Sequence, residues 1–511
     1  MRAPGIGFGL PHAIQERDER LVVETAVGLF GGDPNPHLFR YPTFFIYVLH
    51  AAFRAISWAW RLAGLDLDAP HLIARFDADG TPFYLAARAI SLAAGLATVA
   101  LVVALGRRFA GPTAGLVAGI VLALSPLHSE MSRFARVDAF MVFWTTAALT
   151  LATRHRESGR GRDAILAAFA AGLALATKYP AAFVIAAPLA AACLHARAAA
   201  GPRAALPWGR LLALAVIPFL VLLATSPFLL LDGRAFVAEM RGLARLVVVP
   251  YLSERGAPGP LFYPAALAGG AFGAGLLLAA LVGLVALVRA PGRPPLHLLA
   301  FVVPYSLFFA LSKTAYARFL LPILPVLAVL AAVGILTTAR RLRVAWPIVL
   351  LVAFAPTAPR LASRVAVGAT NGDTRIAALR FIEENVPTGS RVLIGDERRI
   401  PPLRRAGMPT LSATGIARQL ESRPEVLGAV RRARAADVVG VRRPAYRIVS
   451  LGLSPVADAA RVSKPDAIVL PDELADAAPE ALAADYRVAA EFGPSWRRDG
   501  PRLVVLARRS D

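Results

Sequence analysis

The stretch FYLAARAISLAAGLATVALVVAL, Phe83 to Leu105, decides the fold class. A bilayer core of about 30 Å takes about 20 apolar residues of helix to cross, and runs of this kind recur along the chain as far as residue 359. Ten candidate spans result, at about 83–105, 112–128, 138–153, 164–178, 179–195, 211–228, 263–288, 297–312, 318–337 and 345–359. Composition agrees with them. Of 511 residues 57% are hydrophobic and 18% charged, with a mean hydropathy of +0.56, which excludes a chain of soluble domains. The expected fold is mainly α: a polytopic membrane helical bundle.

The basic residues orient it. Lys and Arg number 56 against 34 Asp and Glu, a net charge of +22, and many sit in short loops between apolar runs. Basic charge there holds a loop on the cytoplasmic face and meets anionic lipid, so membrane lipids are expected partners and nucleic acid is not. The connections at 106–111, 154–163, 196–210, 289–296 and 338–344 hold 14 Lys and Arg, all on one side. The opposite set, near 129–137, 178, 229–262 and 313–318, holds 9, with Glu130, Asp232, Glu239 and Glu254 among them. That set is expected outside. Residues 1–82 are then outside too, provided Phe44 to Trp60 does not cross. With Tyr47, His50, Arg54, Ser57, Trp58 and Trp60 in it, this run reads as an interfacial helix; a true span, placing residues 1–42 inside, is the alternative. Residues 1–20 carry no signal-peptide core. Cys193 is the only cysteine, so there is no intrachain disulfide and no cysteine cluster for a metal.

After about residue 360 the composition becomes that of a soluble domain. Val392–Ile394, Val438–Val441, Ala467–Leu470 and Leu503–Leu506 read as strands and Asp373 to Glu384 as a helix, giving a small α/β domain. Three regions are expected: a first extracytoplasmic loop over 1–82, a transmembrane domain over 83–359 and an extracytoplasmic α/β domain over 360–511.

Four constellations could carry chemistry. Asp18 and Glu19 precede a helical pattern through Leu21, Val22, Ala26, Leu29 and Phe30; they either complement the helix dipole or offer a general base and an anchor. Arg133 to Asp138 places ionisable groups at the outer mouth of two spans, as a local Arg–Asp pair or as part of a site. Thr177-Lys178-Tyr179-Pro180 breaks an apolar stretch and leaves one cation at its tip, which either snorkels or holds a phosphate. Lys313 and Arg318 flank Tyr316 in a short outer loop. With Arg133, Arg136 and Lys178 they form a basic cluster suited to a lipid phosphate headgroup. No P-loop, G-x-S-x-G or H-E-x-x-H motif occurs.

These residues, with Asn35-Pro36-His37, Tyr41-Pro42, Gly172 to Pro180, Thr225-Ser226-Pro227-Phe228 and Lys313 to Pro322, resemble the GT-C glycosyltransferases over about residues 5–340. The chain looks like the bacterial relatives of protein O-mannosyltransferases and of the lipid A aminoarabinose transferase. The resemblance implies an inner-membrane enzyme that moves a sugar from a polyprenyl-phosphate donor to an acceptor hydroxyl on a lipid, glycan or protein at the outer face, with inversion. It assigns Asp18 as the base that deprotonates the acceptor, Glu19 as its support and Asp138 as a second acidic residue. Lys178, Tyr179, Lys313, Arg318 and Arg133 would bind the carrier phosphate, and the loop with His37, Arg40 and Tyr41 would meet acceptor or donor. A divalent metal at Asp18 and Glu19 is left open, since metal dependence varies across the superfamily.

The resemblance also implies a membrane helix before Gly5, so the true start is expected upstream of Met1. Two other classes stay in view. A carrier or flippase for a lipid-linked sugar would share the broken apolar stretches, and an inactive truncated paralogue would keep the outer domain as a binding module.

Overall fold

The computed structural model describes residues 5–10, 17–65, 67–201, 206–248, 259–290, 295–312, 314–370, 372–395, 403–405, 414–435, 444–451, 456–471, 474, 482–495, 498 and 500–509. Two compact units partition the chain. One holds Gly32–Ile56 and Ala86–Ala362; the other holds Ala3–Gly31, Ser57–Leu85 and Ser363–Asp511.

The first unit is a helical bundle in which all ten expected stretches are helical. Helix Thr81–Ala123 carries the first two, separated by a break at Ala110 and Gly111. Gly111 takes φ +83, a conformation open to residues without Cβ, and Pro112 starts the next helix with its φ already set. Val137–Ser158, Gly161–Leu175, Tyr179–Ala199 and Trp208–Thr225 follow. In Val137–Ser158 the hydroxyls of Thr146, Thr150 and Thr153 donate to carbonyls one turn back, which satisfies them where water is scarce.

Among the described residues four helices are long and apolar enough to cross a membrane: Thr81–Ala123, Tyr179–Ala199, Trp208–Thr225 and Ala317–Leu342. Two bent pairs raise the number to as many as six, and the protein is multi-pass. Phe44–Leu62 is helical and is not among the four. The stretch expected as a straight span at 263–288 differs, since Gly259–Ala271 and Ala274–Arg289 meet at 109°. Gly273, with φ +111, sits at that bend. The last stretch is likewise split into Trp346–Phe354 and Ala358–Ala369, bent by 69°.

Backbone contact fixes one pair of helices. A Cβ on Gly283 would lie 1.8 Å from the Leu330 carbonyl oxygen, and one on Gly334 would lie 1.8 Å from that of Ala279. The two glycines thus let Ala274–Arg289 and Ala317–Leu342 approach main chain to main chain, a close packing that supplies association where lipid offers no hydrophobic drive.

The second unit centres on a sheet: β1 Arg391–Ile394, β2 Arg404–Arg405, β3 Ala445–Ser450, β4 Ala467–Pro471, β5 Tyr486–Phe492 and β6 Leu503–Arg508. Their order is β2-β3-β1-β4-β6-β5. β2, β3, β1 and β4 run parallel, and β6 pairs antiparallel with both β4 and β5. β4 is buried along its whole length, as a central parallel strand covered on both faces must be. β1, β4 and β6 coincide with expected strands, while Val438–Val441 lies outside the described residues. β5 escapes a hydrophobicity reading because most of its side chains face outward. The expected helix is Thr374–Asn385, capped by Asp373, whose carboxylate accepts from Arg375 N at 2.7 Å. Helices Arg17–Gly28 and Ala69–Ala78 belong to this same unit.

Candidate active site

Three breaks in helices build a charged cluster inside the first unit. Arg136 is extended at φ −112, ψ 149 immediately before helix Val137–Ser158, so Asp138 falls in its first turn, where a carboxylate complements the dipole. Lys178 is extended at φ −156, ψ 126, between helix Gly161–Leu175 and the 3-10 segment Tyr179–Ile185 that Pro180 imposes. Tyr316 is extended at φ −129, ψ 137, ahead of the 3-10 segment Ala317–Ile323 that carries Arg318.

These side chains converge. Lys178 Nζ donates to Asp138 Oδ1 at 2.7 Å, and Arg136 Nε lies 3.7 Å from Asp138 Oδ2. Arg318 interacts electrostatically with Asp138 and with Lys178. Lys178 also sits 5.3 Å from the centre of the Phe319 ring, and the Arg318 guanidinium 4.5 Å from that of Tyr316. Tyr305 OH ties the segment down by donating to Phe319 O at 2.9 Å. Arg133, Arg136, Asp138 and Lys178 are all buried. Lys178, Arg136 and Arg318 thus gather around the Asp138 carboxylate in a place that is costly for charge, the kind of placement that marks a functional site. Lys313 lies outside the described residues.

Beside it in the same unit, residues 33–43 form a braced loop. Asn35 Nδ2 donates to Asp232 Oδ2 at 2.9 Å, Phe39 N to Glu239 Oε2 at 2.6 Å, and Thr43 N to Ser226 Oγ at 3.0 Å. Tyr179 OH donates to Phe39 O at 2.9 Å, which links this loop to the residue next to Lys178. His37 adopts φ +48 with Nε2 2.8 Å from Asp33 Oδ2. Tyr41 is buried, and Arg40 is half-buried with an Nε that has no partner among the described residues.

Asp18 and Glu19 occupy the first turn of helix Arg17–Gly28, in the second unit. Asp18 is half-buried and Glu19 fully buried. Successive residues on an α-helix point about 100° apart, so the two carboxylates diverge. Among the described residues no three His, Cys, Asp or Glu groups gather as metal ligands. This donor set does not fit a divalent ion.

Two functional candidates were missed in the sequence. Arg88 is a fully buried arginine in helix Thr81–Ala123, its guanidinium 5.5 Å from the centre of the Phe134 ring. As the only charged residue between Phe83 and Leu105, it carried a readable signal. Glu24, also buried, showed only an ordinary i,i+4 pairing with Arg20, because its other partner, the Gly415 amide, lies in the C-terminal domain.

Comparison with known proteins follows the same lines. The architecture is similar to that of ArnT from Cupriavidus metallidurans in the apo state, with a TM-score of 0.51 at 14% identity over 96% of this chain and 94% of that one. Weaker likenesses include ArnT from the same organism bound to undecaprenyl phosphate, with a TM-score of 0.46 at 14% identity over 96% and 94% of the two chains. Another is the oligosaccharyltransferase AglB from Archaeoglobus fulgidus in complex with an inhibitory peptide and a dolichol-phosphate, with a TM-score of 0.46 at 15% identity over 76% and 59%. No curated protein matches the chain. Fold and membrane helices define the class: a multi-pass membrane protein whose architecture is similar to that of ArnT. Within that class, residues 53–230 match the family model described as dolichyl-phosphate-mannose-protein mannosyltransferase, and they include Arg133, Asp138, Lys178 and Tyr179.

Proposed function

We propose that the protein transfers a sugar from a polyprenyl-phosphate carrier to an acceptor hydroxyl on the outer face of the inner membrane, with inversion at the anomeric carbon. The observation that carries this reading is the cluster of Arg136, Lys178 and Arg318 around the buried Asp138 carboxylate, with Arg136 and Lys178 standing on the breaks themselves. The match of residues 53–230 to a lipid-phosphate-sugar transferase family supports it.

The chemistry follows from the charges. The bond between the anomeric carbon and the carrier phosphate oxygen breaks, its electron pair leaving with the phosphate. Lys178, Arg318 and Arg133 stabilise that anion, so no strong acid is required. The acceptor oxygen forms the new bond from the opposite face as its proton passes to the Asp18 carboxylate, and the products are glycosylated acceptor and polyprenyl phosphate. Asp138 holds Lys178 and Arg136 in place, while Glu19, fully buried, supports the helix that carries Asp18. His37, Arg40 and Tyr41 line the loop that receives donor or acceptor. The bias of basic residues toward one set of loops supports an outer location for residues 1–82 and 360–511.

The test is transfer of radiolabel from a panel of undecaprenyl-phosphate sugars to lipid, glycan and protein fractions by the purified full chain, beside Asp18→Asn. Transfer lost in the variant is the expected result. Equal transfer by both would remove Asp18 as the base, and label carried across a vesicle membrane with no glycosidic product would replace the enzyme by a carrier.

A further inference from the structure

We propose that the C-terminal α/β domain is a positioning device for the helix Arg17–Gly28, and that Glu24 is its anchoring residue. The inference deepens the reading above and rests on it, since it concerns the helix that carries Asp18.

Glu24 lies on that helix within two turns of Asp18, and it is 3% exposed. Its Oε2 accepts a hydrogen bond from the backbone N of Gly415 at 2.9 Å. Gly415 opens the short helix Thr414–Leu420, so the carboxylate takes one of the amide donors that a helix start leaves without an intrahelical partner. The other oxygen, Oε1, pairs with Arg20 Nε one turn back on the same helix. Burial works to lower the affinity of Arg20 for its proton, yet the Glu24 carboxylate outweighs it and pushes the guanidinium pKa up. One side chain therefore joins the helix to itself and to the domain.

The fit is close over the second half of the helix and the 3-10 turn Leu29–Gly31 that follows it. A Cβ on Gly415 would lie 2.8 Å from Glu24 Cβ, one on Gly28 would lie 2.7 Å from Gln419 Cβ, and one on Gly31 would lie 2.5 Å from Leu420 Cδ2. Arg423 Nη1 closes the far end by donating to Gly31 O at 3.1 Å. Contacts at Glu24, Gly28 and Gly31 thus fix both the axial position and the rotation of the helix. Rotation matters because neighbouring helical residues diverge by about 100°: a turned helix would withdraw Asp18 and present another side chain. A misplacement of about 1 Å in such a group costs about 100-fold in rate.

The test uses the full chain in lipid nanodiscs and three variants. Glu24→Ala removes the acceptor, Glu24→Gln restores an oxygen that Gly415 N can reach, and Gly415→Ala crowds the same contact from the domain side. Each is measured for label transfer from undecaprenyl-phosphate mannose and for amide hydrogen exchange over residues 17–28. The expected result for Glu24→Ala and Gly415→Ala is kcat down by about 10- to 100-fold, donor KM within about twofold of wild type, and exchange over 17–28 faster by about tenfold while β4 and β6 stay protected. Glu24→Gln is expected to recover most of kcat. Unchanged kcat and unchanged exchange in Glu24→Ala would overturn the inference, as would a loss of protection spread over the sheet, which marks simple unfolding. If instead Asp18→Asn transfers as well as wild type while Glu24→Ala loosens 17–28, the base assignment fails and the anchoring stands.

Discussion

Lys178 Nζ and Asp138 Oδ1 lie 2.7 Å apart, joining two helix breaks that are 40 residues apart in the chain. Neither group is exposed, and each is in a segment that the sequence expects at the edge of hydrocarbon. The pair therefore brings two buried opposite charges together and ties the start of helix Val137–Ser158 to the break before Pro180.

Removing one partner of this pair is expected to cost far more than removing both. Asp138→Asn leaves Lys178 buried without its counter-ion, a loss of about 3–5 kcal/mol. Asp138→Asn combined with Lys178→Met should recover a large part of that. Thermal unfolding in detergent for the two singles and the double would check the pattern; additive losses would show that the two groups are not coupled.

Arg318 is expected to resist replacement by lysine. The guanidinium stacks over Tyr316, a contact that its planar shape makes possible and that a lysine ammonium replaces poorly. Arg318→Lys should raise the donor KM by about 5- to 10-fold, corresponding to about 1 kcal/mol of binding. Steady-state kinetics with whichever undecaprenyl-phosphate sugar supports transfer would read this directly, and an unchanged KM would remove Arg318 from the proposed phosphate-binding group.

The glycine contact between Ala274–Arg289 and Ala317–Leu342 should be intolerant of any side chain. Because each Cβ would meet a backbone carbonyl oxygen at 1.8 Å, the helices must separate to admit one. Gly283→Leu or Gly334→Leu is expected to destabilise by about 3 kcal/mol or more, in the upper range of single substitutions. Melting temperature in nanodiscs is the measurement, with Gly209→Ala, at a site where a Cβ meets nothing within 4 Å, as the control.

His37 offers a test of backbone strain. At φ +48 it holds a conformation that costs a non-glycine residue about 1–2 kcal/mol. His37→Gly should relieve that strain and lose the contact with Asp33, for little net change in stability; His37→Val should keep the strain and lose the contact. Chemical denaturation of the two variants separates these terms, and equal destabilisation by both would show that the ring, not the backbone, governs this turn.

Much of the fold was legible because hydropathy is a local property. The run from Phe83 to Leu105, and its successors, declare membrane helices by length and composition alone, and the β1, β4 and β6 segments declare themselves by being apolar and short. The breaks were legible too: Pro180 fixes where Lys178 must stand. Less visible were the bends. The 109° angle at Gly273 leaves no mark on the hydropathy of 263–288, since a bent helix and a straight one bury the same apolar residues.

The sequence by itself determined a multi-pass helical protein, a change to α/β structure in the C-terminal part, and the kinds of residue held in reserve for chemistry. Tertiary structure alone decided which of them meet. That Asp138 is held by Lys178, that Glu24 reaches Gly415, and that Gly283 faces Gly334 are facts about residues tens to hundreds of positions apart. Charge type and periodicity are written along the chain, whereas ion pairing and close packing fall off over a few ångströms and depend on distances that only the folded backbone sets.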